Sequence, residues 1–129
     1  MTQPCLYVHP MRSILVIEDD ANLRLLLEQL LTAAGYNVRT AADGKQGASL
    51  CLATPPDLVI TDIYMPNRDG LEVIMDLRQH CPQTRIIAIS GQITTKNMLP
   101  AASTLGAART LAKPFQPQEL LAAVEEVLR

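Results

Sequence analysis

Aromatic side chains are almost missing from this chain: one Phe, three Tyr and no Trp among 129 residues. A platform for stacking bases is therefore not on offer, and the core has to be aliphatic. A dominant charge is missing too. The formal net charge of −2 gives no electrostatic case for direct nucleic-acid binding or for an anionic membrane. No apolar run reaches the ~18 residues of a membrane span. The N-terminus lacks the basic start and long apolar core of a signal peptide. Cys5, Cys51 and Cys81 are odd in number and far apart, with no Cys-x-x-Cys, which argues against a zinc site or a disulfide framework. The expectation is three reduced thiols in a cytoplasmic protein, with Cys51 packing as a small apolar residue.

What is present is enough for one folded unit. Hydrophobic residues make up 48% of the chain, and its length suits one domain with one core. Residues 1–12 read as an N-terminal extension, with Pro4 and Pro10 opposing regular structure; Met11 sits just before the first strand, so translation could start there instead. The domain proper is expected over 13–129.

Strands and helices alternate five times from residue 13 onward. The strands are expected at 13–17, 37–41, 58–61, 85–89 and 110–112. Continuous apolar runs in the first and third suggest burial on both faces, as in a parallel sheet. The first helix, 21–34, carries Leu23, Leu26, Leu27, Leu30, Leu31 and Ala34 on one face, with Arg24 and Glu28 opposite, Asp20 as N-cap and Gly35 as stop. A turn at Asp43-Gly44 leads into a helix over 45–53, weakened by Gly47. A third helix is expected over 71–80. The fourth, 94–105, is interrupted by Pro100. The fifth, 117–128, starts with Pro at N1 and buries Leu120, Leu121, Val124, Val127 and Leu128. Right-handed crossovers at these spacings predict an α/β fold: a five-stranded parallel sheet with helices on both faces. In the flavodoxin-like order 2-1-3-4-5, strands one and three lie side by side at the switch point.

That order would bring the charged strand ends together. The first strand ends in Glu18-Asp19-Asp20 and the third reaches Asp62. Ser90 follows the fourth strand, and Lys113 ends the short run Leu111-Ala112. Two unit charges ~4 Å apart repel by roughly 4 kcal/mol at an effective dielectric near 20. Clustered carboxylates therefore raise their pKa values or recruit a cation. A hard divalent ion such as Mg²⁺ suits such a set and leaves room for phosphate oxygens. Lys113 and the Ser90 hydroxyl suit an incoming dianionic phosphoryl group. The group able to accept it covalently is the Asp62 carboxylate.

Four motifs, in order and at strand ends, carry a resemblance: Leu15-Val16-Ile17-Glu18-Asp19-Asp20; Asp62 with Met65-Pro66 and Asp69-Gly70; Ile89-Ser90-Gly91; and Lys113-Pro114-Phe115. From about residue 13 to 129 the chain resembles a response-regulator receiver domain of two-component signalling, of the CheY-like superfamily. The resemblance implies that Asp62 is the phosphoacceptor and that Glu18 and Asp19 hold Mg²⁺ with it. It implies that Tyr64 lends its backbone carbonyl to the metal. Ser90 would bond the phosphoryl group, Lys113 would ion-pair with it, and the Lys113–Pro114 peptide would be cis. The domain would catalyse its own phosphorylation and dephosphorylation without being a conventional turnover enzyme. The implied partners are a histidine kinase or histidine phosphotransfer protein and a downstream protein target. A homodimer through the face of the fourth helix, fifth strand and fifth helix stays open. A Tyr or Phe often stands three residues before the lysine in that family; here Thr110 does, so an aromatic readout is not expected. The Tyr64 ring is expected to shade the phosphoryl group from water.

Three other readings compete. A receiver-like interaction module that is never phosphorylated would share the fold but has no use for the intact acidic set. A flavodoxin would need a Ser/Thr/Gly-rich phosphate loop where Glu18-Asp19-Asp20 stands. A haloacid-dehalogenase-type phosphatase would need a second Asp where Tyr64 stands. The chain is expected to leave no room for an output domain after the last helix.

Overall fold

The structure, a computed structural model, describes residues 11–65, 68–90 and 106–129, with backbone alone over 64–65 and 68–70. Along the chain run β1 (Ser13–Ile17), α1 (Ala21–Ala33), β2 (Asn37–Ala41), α2 (Gly44–Ala53) and β3 (Leu58–Asp62). A two-stranded ribbon follows, β4 (Tyr64–Met65) with β5 (Arg68–Asp69), then α3 (Gly70–His80), β6 (Arg85–Ser90), β7 (Arg109–Ala112) and α4 (Pro117–Leu128). The expected helix over 94–105, with Pro100, and most of the N-terminal extension lie outside the described residues.

The main sheet is wholly parallel, in the order β2-β1-β3-β6-β7. Since β4 and β5 form their own antiparallel ribbon, this is the expected order 2-1-3-4-5. The period-two rule divides the side chains of each strand between two layers. Leu15, Ile17, Val59, Ile86 and Ala88 face α2 and α3, where Cys51, Val73, Ile74 and Leu77 meet them. Ile14, Val16, Leu58, Ile60, Ile87 and Ile89 face α1 and α4, against Leu27, Leu31, Leu120 and Val124. The lower end of the sheet is tied across strands. Asp57 Oδ2 accepts from Ser13 N at 2.8 Å, and the Asp57 and Arg85 amides donate to Ser13 O and Asp57 O.

Helix ends follow local chemistry. Asp20 caps α1, its Oδ1 accepting from Asn22 N at 2.9 Å and Leu23 N at 3.3 Å. Gly35, at φ 102°, closes the helix, with Tyr36 N donating to Leu31 O, a reversal that favours glycine. Asp43 does more than turn the chain: its Oδ1 accepts from Gln46 N and caps α2, which starts at Gly44.

Three expectations for the helices change. The apolar face of α1 is narrower than its leucine pattern implies: Leu27 and Leu31 are buried, whereas Leu26 is 48% exposed and Ala34 is exposed. Arg24 does not project to solvent, because its Nη1 donates to Glu18 O at 2.8 Å. Gly47 weakens α2 only by intrinsic propensity. A Cβ there would collide with Ile17 Cδ1 and lie 2.7 Å from Ile17 Cγ1, so the missing side chain is what lets α2 approach β1.

Gly47→Ala is therefore expected to lower stability by about 1–3 kcal/mol in urea titration, although Ala is the better helix former. Ile17→Val removes the nearest methyl. The double variant should lose less than the sum of the single losses.

Candidate functional site

The upper ends of β1, β3, β6 and β7 build one crevice. Adjacent strands β1 and β3 run in register, Ile17 beside Thr61, so the residues that follow each, Glu18 and Asp62, emerge together. Glu18 is 0% exposed and Asp62 4%, while Asp19 is exposed. Each offers a carboxylate oxygen, and these oxygens lie within 4.8 Å of one another.

Lys113, one residue beyond β7, supplies the opposing charge. Its Nζ lies 2.9 Å from Asp62 Oδ2 and 3.2 Å from Glu18 Oε1. Ser90 ends β6, buried, and its carbonyl accepts the Lys113 amide at 2.8 Å. The Lys113–Pro114 peptide is cis, as the resemblance implied. Tyr64 opens the ribbon two residues after Asp62; the shading expected of its ring concerns a side chain outside the described ones. Thr110 pairs with Ala88 and is half-buried.

The backbone around Glu18 is held on every side. Its amide donates to Ala41 O at 3.0 Å, its carbonyl accepts from Arg24, and its Oε2 accepts from Asp20 N at 3.1 Å. Asp20, expected only as an N-cap, thus holds a crevice carboxylate as well as capping α1. Arg24 was missed as a support. Its polar placement on a leucine-rich helix gave no sign that it would turn back six residues.

Electrostatics follow from this geometry. Burial pushes the Glu18 carboxyl up from 4.5 to about 7; the Asp62 charge adds to the rise, and the Asp20 amide and Lys113 oppose it. Burial pulls Lys113 down, but the hydrogen bond and charge of Asp62, then those of Glu18, outweigh it and leave the ammonium raised. The crevice therefore carries more negative charge than one lysine cancels. Three carboxylate oxygens in so small a volume are hard donors and fit a small divalent cation.

A family model, the response regulator receiver domain, matches residues 14–125. Response regulator ArlR of Staphylococcus epidermidis is 40% identical over 119 residues, which is 92% of this chain and 53% of that protein. The chain thus spans about half the length of the curated relatives it matches. Among solved structures, the Vibrio cholerae chemotaxis protein CheY4 superposes with a TM-score of 0.84 at 30% identity, over 92% of this chain and 100% of its own. Response regulator TrrA of Thermotoga maritima, solved in complex with Mg²⁺–BeF, gives 0.82 at 33% identity over the same shares.

The raised Glu18 value sets a pH dependence. The folded state holds a proton on Glu18 that the unfolded chain has already released, so stability falls as pH rises from about 4.5 to about 7. Without divalent cations the loss is expected to be on the order of 2–3 kcal/mol in urea titrations. Glu18→Gln should flatten that slope. Added Mg²⁺, which favours the ionised form, should restore stability most at the high-pH end.

Proposed function

The chain belongs to the response regulator receiver domain family, and on that premise we propose that Asp62 accepts a phosphoryl group from a phosphohistidine. The domain spans 13–129, and 1–12 is an extension. The observation that carries this reading is the bridge from Lys113 Nζ to both Asp62 and Glu18 in one buried crevice. It places a cation beside the Asp62 carboxylate, where an incoming dianion would meet it.

Glu18, Asp19 and Asp62, with the Tyr64 backbone carbonyl, would hold Mg²⁺. Bound there, the ion would offset the carboxylate charge and orient phosphoryl oxygens. The chain's own residues do the rest. An Asp62 carboxylate oxygen attacks phosphorus, the bond from phosphorus to the donor imidazole nitrogen breaks, and its electron pair returns to the ring. Lys113 exchanges the Asp62 carboxylate for the new phosphoryl oxygens as charge builds on them. The Ser90 hydroxyl donates to another phosphoryl oxygen. That contact biases the end of β6 between two arrangements. With Thr110 in place of an aromatic, readout runs through backbone position and not through a ring. Reversal by water returns inorganic phosphate, so the domain catalyses its own loading and unloading.

The donor is a histidine kinase or histidine phosphotransfer protein, and the loaded surface meets a downstream protein target in the cytoplasm. Leu25 and Leu26 support a protein donor. They are 53% and 48% exposed on α1, which starts beside Asp19 and Asp20 at the crevice mouth. Exposed leucines next to a reaction site suit a docking contact.

Incubation with Mg²⁺ and a small phosphodonor should add the mass of one phosphoryl group to the wild type and none to Asp62→Asn. Uptake by the wild type without Mg²⁺, or by Asp62→Asn with it, would overturn the assignment. Lys113→Ala should slow uptake on the order of 10²-fold. Leu25→Ala with Leu26→Ala should slow transfer from a phosphohistidine protein while leaving the small donor's rate unchanged.

A further inference from the structure

Two thiols take no part in the crevice chemistry. Cys51 lies near the end of α2 and Cys81 directly after α3. The fold brings them together across 30 positions, with Sγ to Sγ at 3.0 Å and Cys81 Sγ 3.7 Å from Cys51 O. That separation is about 1 Å longer than a disulfide bond. Both are free thiols, packed among Leu77, Ile86 and Ala107. Cys51 is 0% exposed and Cys81 4%.

We propose that Cys51 and Cys81 form a reversible disulfide when the chain meets a hydroperoxide, joining α2 covalently to the end of α3. Cys81, the less deeply buried residue of the two, reacts first. It attacks a peroxide oxygen, the O–O bond breaks, and the thiol proton leaves with the departing oxygen. With hydrogen peroxide this gives Cys81 sulfenic acid and one water. Cys51 sulfur then attacks Cys81 sulfur. The hydroxyl leaves with the Cys51 proton as a second water, and the S–S bond forms. Two electrons pass from the thiol pair to one peroxide. Burial pushes the Cys51 thiol up to about 12, so Cys51 is not the thiol that starts the reaction. The closed loop contains β3 and Asp62, so the bond brackets the strand that carries the proposed phosphoacceptor.

The test treats the full chain with hydrogen peroxide, then denatures and alkylates it without reductant, with intact mass and peptide mapping. The expected result is a linked Cys51–Cys81 peptide pair, alkylation at Cys5 alone, and recovery of both thiols by dithiothreitol. Cys5→Ala should give the same bond and Cys81→Ala none. The oxidised chain should melt several degrees above the reduced one, because the link constrains the unfolded state. Alkylation of all three thiols, a Cys5-linked dimer as the sole disulfide, Cys81 sulfinic acid without a link, or a lowered melting temperature would each overturn the proposal.

Discussion

Glu18 and Asp62 share one small buried volume, and Lys113 is what makes that tolerable. Two carboxylates withdrawn from water repel each other and lose hydration, and a fold that imposed this without compensation would simply protonate them. The ammonium at 2.9 and 3.2 Å offsets part of that cost. The Glu18 carboxyl is still raised, chiefly by burial, with the Asp62 charge adding to the rise. The crevice is thus an unbalanced electrostatic device whose deficit a divalent cation can fill. Among the described residues, no fully buried side-chain nitrogen or oxygen lacks a partner, so the imbalance is one of charge and not of hydrogen bonding.

The rest of the architecture serves to hold that imbalance in place. Register between β1 and β3 delivers the two carboxylates, and the β6–β7 ladder delivers the lysine from the far side. At the opposite end of the sheet, Ser13, Asp57 and Arg85 are tied through backbone and side chain.

Much of this was legible in the residues. Continuous apolar runs gave the central strands, glycine and proline punctuation helped to bound the helices, right-handed crossovers implied a parallel sheet, and the strand order was that of a flavodoxin-like fold. The acidic pair, Asp62, Ser90 and Lys113 could be placed because each stands at a strand end, where one-dimensional order becomes spatial order. Other features could not be read. The ribbon of β4 and β5 is only two residues wide on each side, too short for any periodic signal. Leu26 fits the helical repeat yet lies outside, since the repeat specifies a stripe and not how much of it the sheet covers. Gly47 looked like a weakness until the position of Ile17 revealed the contact it permits. Cys51 and Cys81 meet only through the packing of α2 on α3, information held by neither cysteine's neighbours in the chain.

The hydrogen bond from the Lys113 amide to the Ser90 carbonyl has a mechanical meaning. The hydroxyl and the ammonium that would read the same anion are mounted on one rung of the ladder. A pull on either side chain is transmitted through that rung to the backbone of the other. On the proposed function, seating one of these groups on the phosphoryl oxygens would favour seating the other through that shared rung.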